Sequence, residues 1–187
     1  MKDSKLYKVV LLLGSNLPLG NLWPKQIIEE AGKEIVDALL PDYLEVDTLQ
    51  DAVNATEIVE TEPCGPFEKQ LDENGEEKPV PSFSNQVLVC QTALSPQQVL
   101  LQTQRIERLF GRMRTYKVKG EVYQSRTLDI DILQVFEKHR ADKMADKVAD
   151  KNTEWVEIKS NTESLILPHP QIETRGFVKP LLKKLGL

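Results

Sequence analysis

Ser125-Arg126-Thr127-Leu128-Asp129-Ile130-Asp131-Ile132-Leu133 is the stretch whose reading decides the fold of this 187-residue chain. Apolar and polar residues alternate along it with a period of two, which predicts a β-strand. Leu128, Ile130 and Ile132 point one way and suit a core; Thr127, Asp129 and Asp131 point the other way. Two carboxylates two apart on a strand stand side by side, repel, and raise each other's pKa. A cation bound between them removes that cost. Hard oxygen ligands with so little else around them suit Mg²⁺, which takes one or two carboxylates plus substrate phosphates. Arg126, three residues before Asp129, adds positive charge nearby.

Working outward, an isolated Asp-x-Asp is a common solvated strand face, because short motifs match by chance. The neighbours change its meaning. Gln104, Glu107, Arg112 and Arg114 precede the pair; Pro168-His169 and Arg175-Gly176-Phe177 follow it. Paired carboxylates among several arginines, with no cysteine or histidine cluster, point to polyphosphate chemistry. The net charge of −5 speaks against a general nucleic-acid binder, which carries a basic face. A local arginine cluster with Mg²⁺ still binds an anion inside an acidic protein. The length fits one domain, residues 1–187, with a proper core. Cys64 and Cys90 make neither a disulfide framework nor a metal spacing, and are expected as reduced thiols of a cytoplasmic protein. No signal peptide or membrane span is expected.

Before this strand, Val9 to Leu13 predict a buried strand from Lys8 to Leu13, ended by a turn at Gly14-Ser15-Asn16-Leu17. Asn21 is the expected N-cap of a helix over Leu22 to Leu40, ended by Pro41. Val53 to Thr61 predict a second strand and Phe83 to Gln91 a third, separated by an acidic loop insertion over about 67–82. Ser95, Pro96 and Gln98 open a helix to about Phe110, with Val99, Thr103, Ile106 and Phe110 as its buried stripe. Gln104 and Glu107 share a neighbouring face, whose ordinary fate is solvation. Gly111 stops that helix. After the Asp pair, a repeated Ala-Asp-Lys tract lies in a second insertion, about 137–163, too polar to bury a core face. The order strand, helix, strand, strand, helix, strand predicts an α+β fold. It is a ferredoxin-like βαββαβ sandwich, its antiparallel sheet carrying both helices on one face and leaving an open active-site face.

With these residues in view, the chain resembles the 6-hydroxymethyl-7,8-dihydropterin pyrophosphokinase family of folate biosynthesis. The resemblance rests on Leu13-Gly14-Ser15-Asn16-Leu17, on Thr61 through Gly65-Pro66, on Phe83-x-Asn85, and on Thr103-Gln104-Arg105-Ile106-Glu107. It continues through Gly111-Arg112-x-Arg114, Arg126 to Asp131, Pro168-His169 and Arg175-Gly176-Phe177, in the family's order and over most of the chain.

The resemblance implies pyrophosphate transfer from ATP to the pterin hydroxymethyl group, releasing AMP. It implies two Mg²⁺ ions on Asp129 and Asp131, with Arg112, Arg114 and Arg126 completing the catalytic set. Gln104, Glu107, Arg114, Ile132, His169 and Arg175 match the ATP-binding positions. Phe83 and Phe177 match the aromatics that sandwich the pterin, while Asn85, Thr61 and Cys64 match the residues at its edge. Planar arginine forks suit phosphate, and flat rings suit a heterocycle. No residue need be a nucleophile, since the substrate hydroxyl attacks and the protein supplies position and charge. The expected partners are these two small molecules, with neither nucleic acid nor membrane, and fusion to or association with other folate-pathway domains. The loop before the Asp pair offers Lys117, Lys119 and Tyr123 where the family carries an Arg-Trp pair. A second reading therefore stands beside the first: a nucleotide- and pterin-binding module of the same fold with weak or no turnover.

Overall fold

The computed structural model describes residues 5–40, 52–65, 67, 71–112, 124–140 and 153–187. Its centre is an antiparallel sheet formed by β1 (Tyr7–Ser15), β2 (Val53–Ala55), β3 (Val59–Thr61), β4 (Phe83–Thr92), β5 (Asp129–Arg140) and β6 (Thr153–Glu157). The strand order is β2-β4-β1-β5-β6, with β3 also paired to β4. Two further strands, β7 (Ser160–Asn161) and β8 (Ile166–Leu167), make a separate small ribbon. The long helices are α1 (Pro24–Leu39) and α2 (Pro96–Leu109); two short ones, α3 (Gln171–Thr174) and α4 (Val178–Lys184), close the chain.

The period-two pattern divides the central strands between two cores. Val9, Leu11 and Leu13 of β1 join Leu88, Cys90, Leu128, Ile130 and Ile132 beneath α1 and α2. The alternate residues Val10 and Leu12 join Val87 and Leu133 against Val178, Leu181 and Leu182 of α4. Burying strand residues on both faces makes β1 an almost continuous apolar run. This corrects the expectation of helices on one face only: α4 covers part of the opposite face. What stays open is the end of that face where Gly14, Asn85 and Asp129 lie.

Three local departures have physical causes. The expected strand from Val53 to Thr61 is two strands, because Ala55 faces Leu88 and Val59 faces Asn85, so one strand carries an extra residue. Thr56 bridges the interruption: its N–H donates to the Val87 carbonyl at 2.9 Å, and its hydroxyl accepts from the Val87 N–H at 3.1 Å. The first helix starts at Pro24 rather than Leu22, and Trp23 rather than Asn21 takes the N-cap position. Pro24 fixes the first helical φ, and the Gln26 side chain accepts the Trp23 N–H at 3.0 Å. The Asp-bearing strand runs on to Arg140 and pairs with β6, so residues 137–140 and 153–157 of the expected 137–163 insertion belong to the sheet. The Ala-Asp-Lys tract itself lies outside the described residues.

Two features of the fold bear on the site. A bulge in β5 leaves Leu133 without a partner, since Val10 faces Gln134 while Leu11 faces Ile132. Gly111 ends α2 at φ 76°, a left-handed conformation that glycine adopts without strain. A side chain there would also press on Leu19 at 3.0 Å. The turn brings Arg112 back toward β5.

Leu128 is fully buried where β5 meets the helices. Leu128→Ala is expected to cost about 2–5 kcal/mol, the range for a truncated core leucine. Urea unfolding reads this as a lowered midpoint at unchanged slope. A loss well under that range would place Leu128 outside the cooperative core.

Candidate active site

Three adjacent strands supply the floor of a cleft. Gly14 of β1 stands between Asn85 of β4 and Asp129 of β5; one pleat further in, Leu12 stands between Val87 and Asp131. Gly14 matters here for space: a Cβ on it would lie 3.1 Å from the Asn85 side-chain oxygen. The cleft holds about 480 Å³ open to solvent. Its walls include Thr61, Cys64, Phe83, Asn85, Arg126, Asp129, Asp131, Arg175 and Phe177, so nine of the residues picked from sequence meet in one place.

One end is charged. Arg112 donates to one oxygen of Asp129 and Arg126 to the other. The same Arg112 nitrogen also donates to Glu107. Glu107 is 1% exposed, which corrects the expectation of a solvated face. A buried carboxylate needs partners, and those of Glu107 include Arg112 and the Ile130 N–H, at 3.0 Å. The Arg126 backbone is tied to Asn16, which is itself buried: Asn16 accepts the Arg126 N–H at 2.8 Å, and the Arg126 carbonyl accepts the Asn16 N–H at 3.1 Å.

Asp131 is held differently. Gln171 donates its side-chain amide to Oδ2 at 2.8 Å, and His169 Nε2 stands 3.9 Å from Oδ1. Burial, then the charge of Asp129, pushes the Asp131 carboxyl up to about 7, while Gln171 and the two arginines pull the other way. His169 reaches this position because its N–H donates to the Leu133 carbonyl at the bulge, at 2.8 Å. Its Nδ1 accepts the Gln171 N–H at 3.2 Å, so the proton of the neutral ring is on Nε2, facing Asp131. Burial lowers the His169 pKa, against the pull of Asp129, which favours that neutral ring at pH 7.

The other end is aromatic and amide-lined. Asn85 donates to the Thr61 hydroxyl at 2.8 Å. The Phe83 ring packs against Phe67 at 5.8 Å between centroids, tilted by 43°. Phe177 enters the same cleft from the C-terminal segment. Arg175 donates to the Cys64 carbonyl at 3.0 Å, linking that segment to the loop after β3.

The remaining candidates are placed as follows. Ile132 is buried on the helix side of the sheet, so its side chain is not in the cleft. Gln104 is half-buried on α2. Arg114, Lys117, Lys119 and Tyr123 lie outside the described residues. Sequence reasoning passed over Gln171, Phe67 and the scaffold role of Asn16. Gln171 follows the Pro168-His169 signal by two residues, but nothing in its spacing said that it meets a strand forty positions earlier.

Asp129 and Asp131 suit a hard divalent cation. Among the described residues no third His, Cys, Asp or Glu joins them. That leaves coordination positions for water and phosphate, the arrangement that Mg²⁺ favours. Asp131, held up near neutrality, would release its proton to solvent on binding such an ion.

A family model described as 7,8-dihydro-6-hydroxymethylpterin-pyrophosphokinase (HPPK) matches residues 10–186. The 2-amino-4-hydroxy-6-hydroxymethyldihydropteridine pyrophosphokinase of Porphyromonas gingivalis is 38% identical over 105 residues, 56% of this chain and 56% of its own. The folic acid synthesis protein fol1 of Pneumocystis carinii is 37% identical over 106 residues, 56% of this chain and 11% of that protein. The folate synthesis bifunctional protein of Chlamydia caviae is 32% identical over 181 residues, 95% of this chain and 30% of that protein. The chain thus spans about half the length of the Porphyromonas relative it matches. No helix among the described residues is long and apolar enough to cross a membrane.

The raised Asp131 pKa makes a signed prediction. Between its ordinary value, 3.8, and about 7, the folded state holds a proton that the unfolded chain has released. Stability from this group therefore falls as pH rises through that window. In metal-free buffer, the stability of the wild type relative to Asp131→Asn is expected to decline from about pH 4 to about pH 7, and excess Mg²⁺ is expected to reverse the decline. Parallel denaturation series at several pH values check this; a pH-independent difference would refute it.

Proposed function

We propose, since the chain belongs to the 7,8-dihydro-6-hydroxymethylpterin-pyrophosphokinase family, that it transfers pyrophosphate from MgATP to 6-hydroxymethyl-7,8-dihydropterin in folate biosynthesis. The products are AMP and the pterin diphosphate. The observation that carries this reading is a single cleft with two chemically different ends, one of carboxylates and arginines, the other of aromatics and an amide, on adjacent strands.

The pterin hydroxyl oxygen forms a bond to the β-phosphorus and releases its proton to solvent, the bond between that phosphorus and the α,β-bridging oxygen breaks, and AMP leaves with that oxygen. Asp129 and Asp131 would hold Mg²⁺, two ions on this reading, and the cation would supply charge neutralisation of the polyphosphate. Arg112, Arg126 and Arg175 take phosphate oxygens, and Arg114 belongs to the same set by resemblance. To do so Arg112 and Arg126 exchange a carboxylate partner for a phosphate one, so nucleotide arrival frees Asp129 for the cation. Glu107 keeps Arg112 beside the cleft throughout. His169 and Gln104 border the nucleotide. Phe83 and Phe177 stack on the pterin, with Asn85, Thr61 and Cys64 at its edge. A pocket that pairs those donors and acceptors rejects analogues lacking them.

The ferredoxin-like arrangement belongs to the same reading. Counting β2 and β3 as one interrupted strand, the sheet order and the two helices between strands support a βαββαβ reading, with β6 added at one edge. Residues 1–187 then form one pyrophosphokinase domain, which in the cell works beside or within a larger folate-pathway assembly in the cytoplasm.

Incubation with MgATP, with and without 6-hydroxymethyl-7,8-dihydropterin, followed by nucleotide analysis, tests the reaction. Pterin-dependent AMP without ADP is expected. Binding of both ligands without AMP would make the chain a binding module instead. Phe83→Ala is expected to weaken pterin binding at least about fivefold through lost ring contact, with ATP affinity within about twofold, as calorimetric titration would report. Equal losses for both ligands would remove the stacking role.

A further inference from the structure

Gln171 is bonded to three residues of the site, to the side chains of Asp131 and His169 and to the backbone of Arg175. Its side-chain amide donates to Asp131 Oδ2 at 2.8 Å. Its backbone N–H donates to His169 Nδ1 at 3.2 Å, and its carbonyl accepts the Arg175 N–H at 3.0 Å. The segment is anchored one step earlier, where His169 donates to the Leu133 carbonyl at the bulge. Gln171 also lines the cleft.

The two carboxylates are thus balanced in unlike ways. Asp129 has a guanidinium on each oxygen. Asp131 has a neutral amide on one oxygen and a neutral imidazole near the other. A cationic partner satisfies a carboxylate and also cancels the charge that would attract a metal ion. A neutral amide fixes the carboxyl's orientation without adding a compensating positive charge. Donors that orient a ligating carboxylate commonly matter 10–100-fold in metal affinity.

We propose that Gln171 is a positioning residue for the divalent cation, locking Asp131 through Oδ2 so that Oδ1 is presented to the ion as its main protein anchor. This rests on the reading of Asp129 and Asp131 as cation ligands. Gln171 acts through Asp131 and need not touch ATP or pterin. Only its side chain does this; its backbone bonds to His169 and Arg175 survive substitution.

The test is Mn²⁺ titration followed by electron paramagnetic resonance, with α,β-methylene-ATP present so that no turnover occurs. Wild type, Gln171→Leu and Asp131→Ala are compared, with thermal midpoints and pterin affinity measured alongside. Gln171→Leu is expected to raise the half-saturating Mn²⁺ concentration 10–100-fold, while pterin affinity stays within about twofold and the thermal midpoint is unchanged. On the Asp131→Ala background, Gln171→Leu is expected to add nothing further. Wild-type Mn²⁺ binding by Gln171→Leu, with Asp131→Ala impaired, overturns this inference alone. A joint loss of Mn²⁺ binding, pterin binding and thermal midpoint in Gln171→Leu overturns it too, as the mark of a packing role. Undiminished Mn²⁺ binding by Asp131→Ala would remove the cation reading itself, and this inference with it.

Discussion

Two carboxylates one pleat apart on the same face of a strand cannot both carry full charge in a half-buried cleft without help. Much around Asp129 and Asp131 answers that constraint. Arg112 and Arg126 neutralise Asp129, and burial beside that charge pushes the Asp131 proton affinity upward. Gln171 and His169 reach Asp131 from the far end of the chain. Each of these partners in turn needs an anchor. Gly111 turns Arg112 inward, Asn16 ties down the Arg126 backbone, and the Leu133 bulge offers His169 a carbonyl. A ladder without the bulge would spend that carbonyl on its neighbour strand.

The sheet separates structural from chemical work by alternation. Leu128, just before β5, and Ile130 and Ile132 within it enter the core beneath α1 and α2, while Asp129 and Asp131 face away from it. The opposite face is divided lengthwise. Its inner part is covered by α4 through Val10, Leu12, Val87 and Leu133, and its outer part is the cleft. Gly14 lies at the division. Having no side chain, it leaves room for the Asn85 amide, and it is the register partner of both Asn85 and Asp129.

Glu107 joins fold to site. A buried carboxylate is costly unless fully partnered, and removing one partner leaves the charge stranded. Here the Ile130 N–H comes from the Asp-bearing strand and Arg112 from the residue after the helix-ending glycine. The ion pair therefore joins α2 to β5 and sets the guanidinium beside Asp129. Its conformational role follows from geometry rather than from net stability, which a well-packed apolar pair could match.

Period-two alternation in 128–132, the apolar run 9–13, the Ser95-Pro96-Gln98 helix start and the glycine stop at 111 were all legible as sequence. Each is a local rule acting over a few residues, and each element appears in place, although the Asp-bearing strand starts at Asp129 rather than Ser125 and runs on to Arg140, and the first helix starts at Pro24. The paired aspartates and clustered arginines were legible too, because their chemistry is carried by residue type. Partnership across distance was not legible. Gln171 meets Asp131 across forty positions, Asn16 meets Arg126 across 110, and Arg175 meets Cys64 across 111. Nor did the sequence say that Glu107 is buried or that α4 covers part of the functional face. Local periodicity sets which way a side chain points relative to its own strand or helix. What waits at the end of that side chain depends on how the elements stack, and only tertiary packing decides it.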